Sequence, residues 1–180
     1  MAETSGARGL SPSYRKKKAV VSTALLALGV AIDIVSRHSP ELKKEIADWE
    51  DGRVFSLGVL PDGPAISLRK EADRIRYLGK GYKDPKLRFL FKNIDCALLQ
   101  VTGKMGAHTA YAQHRAILHG NLVEGMQTSR ALSIVQTYLS PGPALKKTMK
   151  RPPKLTPAQR LIKARVMATL PVAMLLNRRK

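Results

Sequence analysis

The sequence predicts an α+β fold: a five-stranded, mainly antiparallel sheet covered by helices. Two observations carry this prediction. Apolar residues recur at helical spacing near both ends of residues 19–139, and between them lie short runs that alternate or are rich in β-branched and aromatic residues. The strands mostly follow one another without an intervening helix, which is typical of α+β proteins and not of βαβ repeats. A chain of 180 residues with 44% apolar content fits one such domain with extensions.

A helix over about residues 19–37 is predicted by an apolar stretch that follows four basic residues, 15–18. The stretch from Ala19 to Ile32 is shorter than the roughly 20 residues that span a bilayer, and Asp33 ends it. A core helix is therefore favoured, with membrane insertion as the alternative. The proposed core positions recur at intervals of four and three: Val21, Leu25, Leu28, Ile32 and Val35.

A short helix over about 40–49 should follow, because Ser39 and Pro40 supply an N-cap and a proline at the first helical position. Two β-prone runs, 54–60 and 65–69, flank a Pro-Asp-Gly turn and predict a hairpin. A third strand is expected at 75–78. A fourth, at 86–92, alternates strictly and places Leu87, Phe89 and Phe91 on one side.

The remainder of the domain is predicted to be helix, strand and helix. Asn93 is a good N-cap for a short helix, and another short helix is expected over 107–114. A fifth strand is expected at 115–119 and a long helix at 122–139. The inward positions proposed for that last helix include Met126, Leu132, Val135 and Leu139.

Four motifs in this order are similar to those of the sterol carrier protein 2 (SCP2) domain, a lipid-binding α+β family. They are the strand Gly52–Leu57 with its Pro-Asp-Gly turn, the alternating strand Leu87–Lys92 running into Asn93, the segment Leu99–Met105 with its Thr-Gly-Lys turn, and Ile117–Asn121 leading into the last helix. The resemblance covers about residues 52–139, half of the chain.

This resemblance implies a non-catalytic module that holds a sterol-like lipid, an acyl chain or an isoprenoid between sheet and helices. A space between a sheet and its covering helices is a usual site for an apolar ligand, and its occupant is held by burial of apolar surface. The residues expected to face the lipid are Phe89, Phe91, Ile94, Leu98, Met105, Tyr111, Met126, Leu132 and Val135.

Positive charge is concentrated at both ends of the chain. Residues 1–18 hold five basic residues and one acidic, residues 19–124 hold fifteen and twelve, and residues 125–180 hold twelve and none. We therefore expect a disordered basic N-terminus over 1–18, a lipid-binding domain over 19–142, and a basic amphipathic extension over 143–180. Basic terminal segments favour a polyanionic partner outside the core fold.

The extension is expected to attach the protein to an anionic membrane surface, which makes it a cytoplasmic, peripherally membrane-associated protein. Thr156 and Pro157 begin a helix whose early part is basic and whose later part, 166–176, is uncharged. Docking on the protein's own core, on a partner subunit or on nucleic acid are the alternatives; nucleic acid is the least favoured, because the segment has no aromatic residue. The membrane-contacting residues proposed are Arg160, Lys163, Arg165, Met167, Leu170, Leu175 and Leu176.

No arrangement of residues indicates catalysis, a metal site or a cofactor. The four histidines, His38, His108, His114 and His119, lack metal-ligand spacing, and the single cysteine, Cys96, excludes a cysteine cluster. We therefore expect a protein that is not an enzyme. Two further functions stay open: an accessory subunit that presents a lipid-soluble substrate to an enzyme complex, and a nucleic-acid-binding protein driven by its net charge of +19.

Overall fold

The computed structural model describes residues 11–139 and 156–177. Within those residues the fold is α+β with five strands, so the fold class and the strand number are confirmed. The elements in chain order are α1 (Pro12–His38), α2 (Pro40–Ile46), β1 (Val54–Val59), β2 (Ala65–Glu71), β3 (Arg74–Lys80), β4 (Leu87–Phe91), α3 (Ile94–Val101), α4 (Ala107–Ala112), β5 (Ala116–His119), α5 (Leu122–Leu139) and α6 (Pro157–Asn177).

The sheet is mixed, which corrects the mainly antiparallel sheet predicted from the sequence. Its strand order is β3-β2-β1-β4-β5; β1 and β4 are parallel, and the other three pairs are antiparallel. The parallel pair arises because residues 81–86 cross the outer face of the sheet. Ser67 Oγ donates to the Gly81 carbonyl (2.7 Å) and accepts from the Lys83 amide (2.9 Å) on that path. The chain therefore enters β4 in the same direction as β1.

The inner face of the sheet is apolar and forms the core with α1. Alternate residues of β1, β2 and β4, among them Phe55, Leu68 and Phe89, are at most 6% exposed. The predicted core positions of α1 are confirmed, with Leu28 half-buried and the others buried. By its length and a mean hydropathy of 2.1, α1 is the one described helix that is long and apolar enough to cross a membrane. Half of its most apolar stretch is buried inside the protein.

Helix α1 begins at Pro12, earlier than the predicted start near residue 19. The Ser11 side chain accepts a hydrogen bond from the Tyr14 amide (3.2 Å), and Pro12 occupies the first helical position. Residues 12–18 are therefore helical, contrary to the disorder predicted for 1–18. Lys17 also forms an ion pair with Asp95 at 2.6 Å, which joins this first part of α1 to α3. Residues 1–10 lie outside the described residues.

Helix α5 faces the core with small and polar residues. Its buried residues include Gly125, Thr128, Ala131 and Val135, at intervals of three, three and four. Met126, proposed as an inward residue, is instead 58% exposed. The orientation of α5 about its axis has a steric cause. A Cβ on Gly125 would lie 2.2 Å from Leu118 Cδ2, so only glycine allows α5 to approach β5 this closely.

Helix α6 forms a third layer beyond α1 and α5. It begins where the sequence predicted, with a reciprocal cap: the Gln159 amide donates to Thr156 Oγ1 (3.3 Å), and the Thr156 amide donates to Gln159 Oε1 (2.9 Å). Val166 is fully buried. The predicted domain boundary at residue 142 and the first part of the extension lie outside the described residues.

Candidate functional site

The residues proposed to face a lipid form three groups in the structure. Phe89, Phe91, Ile94 and Val135 are fully or almost fully buried in the core, at 0–6% exposure. Met126 lies on the solvent side of α5 and is separate from the rest. The remaining four are half-buried and pack around that core: Leu98, Met105, Tyr111 and Leu132.

The half-buried group lies at the edge of the core, on two sets of helices. α3 and α4 pack mainly with α1, β4 and β5, whereas α5 packs mainly with α1, α2 and α6. Burial raises the pKa of the Tyr111 hydroxyl to about 12, and the Ser129 side chain of α5 counters this effect only in part. Tyr111 is therefore neutral at physiological pH, and the other half-buried side chains at this edge, Leu98, Met105 and Leu132, are apolar.

Arg53 holds the first half of α5 beside β1. This role was not predicted from the sequence. Its guanidinium donates to the Glu124 carbonyl (2.6 Å), to Thr128 Oγ1 (3.0 Å) and to Gln127 Oε1 (3.0 Å). It also lies 4.5 Å from the centroid of the Trp49 ring. Three acceptors on one turn of α5 thus fix the first half of that helix against β1. The residue type gave no signal, because a lone arginine before a strand is usually solvated.

Helix α6 is apolar on two opposite sides. One side packs on α1 and α5 through the buried Val166 and the half-buried Ile162, Leu170, Ala173 and Met174. The opposite side leaves four large apolar side chains 60–76% exposed: Leu161, Val172, Leu175 and Leu176. We call this second side the outer face of α6; Met167 borders it at 45% exposure. A group of large apolar side chains that is exposed together normally marks a surface that a partner or a membrane covers.

The residues proposed for membrane contact divide between the two sides of α6. Arg160, Arg165, Met167, Leu175 and Leu176 are exposed. Leu170 packs against the core. Lys163 also faces the protein: its ammonium donates to the Thr137 carbonyl (3.2 Å), and desolvation lowers its pKa. Docking on the protein's own core, one of the alternatives from the sequence, thus describes the inner side of the helix.

A separate polar cleft of about 340 Å³ lies between α2 and α5. Its lining mixes both signs of charge, and one ion pair across it joins Arg130 to Glu45 at 2.8 Å. Such a lining does not suit an apolar ligand. The lining residues are Glu41, Lys44, Glu45, Asp48, Gln127, Arg130 and Ile134.

The described part of the chain holds no group of three metal-ligating side chains. Cys96 is buried on α3, and His114 and His119 are exposed at separate positions around β5. The half-buried side chains at the edge of the core are apolar, apart from the Tyr111 hydroxyl. This arrangement offers binding surface and no residue set for acid–base or nucleophilic chemistry among the described residues.

Comparison with known proteins gives structural neighbours only. No protein-family model matches the chain, and no curated protein matches it. Among solved structures, one similar chain is described as "UbiJ-SCP2 Ubiquinone synthesis protein"; identity is 12%, the TM-score is 0.43, and the match covers 69% of this chain and 99% of that one. Another is the solution structure of the sterol carrier protein domain 2 of Helicoverpa armigera, at 14% identity and a TM-score of 0.38, covering 72% and 94%. Both neighbours bear the name of the family that the sequence resembles.

Proposed function

We propose that this protein is a non-catalytic lipid-binding module that attaches peripherally to anionic membranes through α6. The observation that carries the proposal is the second apolar side of α6. The inner side of the helix is already satisfied by α1 and α5, so its outer face needs a different apolar environment. The inner packing also holds the outer face on the surface of the folded domain, where it can meet a bilayer without unfolding.

Charge and apolar surface combine on this helix as they do in interfacial helices. Arg160 and Arg165 are exposed on its first half, and Val172, Leu175 and Leu176 are exposed on its second half. Each basic residue close to an anionic surface contributes about 1 kcal/mol. Full burial of an aliphatic side chain contributes about 1.5–3 kcal/mol. Together these contributions are sufficient for reversible peripheral attachment.

The lipid is proposed to enter between α3–α4 and α5, by an opening that would form between Leu98, Met105, Tyr111 and Leu132. These four side chains are half-buried and pack against the core that contains Phe89 and Phe91. Methionine at such a position adapts to ligands of different shape. The route requires α5 to move relative to α4.

Membrane attachment is tested with the outer face of α6 in the full-length protein. The double variant Val172→Ser/Leu175→Ser should reduce binding to vesicles that contain an acidic phospholipid by about tenfold or more, because two exposed apolar side chains are lost. Flotation of vesicles with bound protein measures this. The matched control is Leu122→Ser/Val123→Ser on the first turn of α5, where both residues are about as exposed, at 68% and 66%.

The control variant should bind vesicles as the wild type does. High salt should weaken the vesicle binding of the control variant and of the wild type, because the basic residues contribute through an electrostatic attraction. Equal binding by the Val172→Ser/Leu175→Ser variant and the wild type would show that α6 is not the anchor.

Lipid binding is tested by filling the opening. Leu132→Trp should abolish uptake of a fluorescent fatty acid while the protein stays folded, because the larger side chain occupies the space that the ligand needs. Ser133→Trp, on the exposed side of the same helix, is the control and should leave uptake unchanged. If the wild type takes up no fatty acid and Leu132→Trp costs about 1–3 kcal/mol of stability, the space is solid core and the lipid proposal is wrong.

A further inference from the structure

The fold separates charges that are nearly balanced in the sequence. Residues 19–124 hold fifteen basic and twelve acidic residues. Within the five strands, however, Glu71 is the one carboxylate, against six lysines and arginines. The other eleven acidic residues lie on helices and in connections, five of them between residues 41 and 51. The sheet therefore has an electrostatic character that the net charge of the segment conceals.

One cationic cluster lies on β2 and β3, on the outer face of the sheet. Arg69 and Arg76 are directly opposite each other in the ladder. Together with Arg74 they surround Glu71, at 2.6, 3.6 and 3.7 Å. One carboxylate shared by three guanidinium groups leaves an excess of positive charge, and each arginine side chain is still 38–49% exposed.

A second cationic cluster lies on the other half of the same face. Alternation along β4 places Arg88 opposite to the buried Leu87 and Phe89, and Arg88 pairs with His119 of β5 in the ladder. Just beyond the end of β4 and the start of β5, the Lys92 amide donates to the Arg115 carbonyl (3.1 Å). Lys92 and Arg115 therefore continue the ladder beside Arg88 and His119. All four of these cationic or titratable side chains are exposed.

An exposed aromatic ring lies beside the second cluster. Tyr82 belongs to the segment that crosses the outer face, and its hydroxyl would lie 2.1 Å from a Cβ on Gly58, so the absence of a side chain there seats the ring on the sheet. The ring remains 41% exposed, and the Arg88 guanidinium lies 5.7 Å from its centroid. An aromatic face bordered by guanidinium groups is a platform on which an unpaired base can stack.

The position of this face argues against a membrane as its partner. α1 packs on the sheet, and α6 packs on α1 and α5, so the outer face of the sheet and α6 lie on opposite sides of α1. A single membrane cannot contact both. We propose that the outer face of the sheet binds single-stranded nucleic acid, with phosphates on the two cationic clusters and a base on Tyr82. This site is independent of the lipid site and of α6.

The test compares two charge reversals of equal size in the full-length protein. Arg88→Glu/Lys92→Glu alters the outer face of the sheet, and Lys16→Glu/Lys44→Glu alters exposed lysines of α1 and α2. Binding of a labelled oligothymidine of about 20 nucleotides is measured by fluorescence anisotropy over a range of salt concentrations. The sheet variant should lose about tenfold or more in affinity at low salt, with a shallower dependence on salt, because two phosphate contacts are lost. The helix variant should bind nearly as the wild type does.

Two additional measurements keep the outcome interpretable. Arg88→Gln/Lys92→Gln should give a smaller loss in the same direction, which guards against misfolding of the reversed variant. Vesicles that contain an acidic phospholipid serve as the second probe, and the sheet variant should bind them as the wild type does. Equal losses in the sheet and helix variants, no oligonucleotide binding by the wild type, or loss of vesicle binding in place of oligonucleotide binding would each overturn the proposal.

Discussion

Replacing Arg53 by leucine is expected to lower the free energy of unfolding by about 3 kcal/mol, because it removes a buried charged donor that three groups of α5 share. The Arg53 side chain is 4% exposed, and Glu124, Gln127 and Thr128 each lose one hydrogen bond in the variant. Burial lowers the pKa of this guanidinium, and Glu124 and Glu50 counter that effect. Chemical denaturation with urea measures the change.

Arg130→Leu is the matched control for this variant. Arg130 pairs with Glu45 at the surface and is 57% exposed, so its loss should cost less than about 1 kcal/mol. Arg53→Lys should recover only part of the loss, because an ammonium group cannot reproduce the planar fork that reaches three acceptors. A cost for Arg53→Leu no larger than that for Arg130→Leu would contradict the role assigned to Arg53 in fixing α5.

Replacing Gly29 by leucine is expected to destabilise the protein by about 3 kcal/mol, because α1 lies too close to the sheet to admit a side chain there. A Cβ at this position would already lie 2.7 Å from Tyr77 Cδ2 and 3.0 Å from Ile66 Cδ1. Glycine inside a helix normally lowers its stability by about 0.5–1 kcal/mol relative to alanine. In α1 the close contact with the sheet offsets this loss. Thermal and urea unfolding both measure the effect.

Thr23→Leu, at an exposed position of the same helix, is the control and should change stability by no more than about 0.5 kcal/mol. Gly29→Leu combined with Tyr77→Ala should regain part of the lost stability, since the clash is with the Tyr77 ring. If the double variant were less stable than Gly29→Leu by the full cost of a buried tyrosine, the close contact between Gly29 and Tyr77 would not be the cause.

Local patterns predicted the elements well, because helix and strand periodicity is a property of neighbouring residues. α5 has the bounds that the sequence indicated, and β4 alternates as expected, with Leu87, Phe89 and Phe91 inward. The first turns of α1 were missed, because Ser11 and Pro12 lie in a segment that is rich in residues typical of loops. There the N-cap and the contact of Lys17 with Asp95 favour helix.

The sheet's mixed character was not predictable from strand patterns. Alternation in β1 and β4 is the same whether the two strands are parallel or antiparallel, and the direction depends on the path of residues 81–86. The orientation of α5 was likewise hidden. Met126 and Leu132 are the more apolar residues, yet the close approach at Gly125 and the bonds from Arg53 to Thr128 turn the smaller residues inward.

The sequence by itself determined the fold class, most of the apolar residues of the core and the excess of positive charge, because these depend on composition and local period. Only the tertiary structure decided which side each residue faces. It places several basic residues of the strands on the outer face of the sheet, as with Arg76 and Arg88, and it leaves Leu175 exposed on an α6 whose opposite side packs on the core. The physical reason is that sidedness follows from contacts between distant segments, which determine what each helix and strand covers and what remains open to a partner.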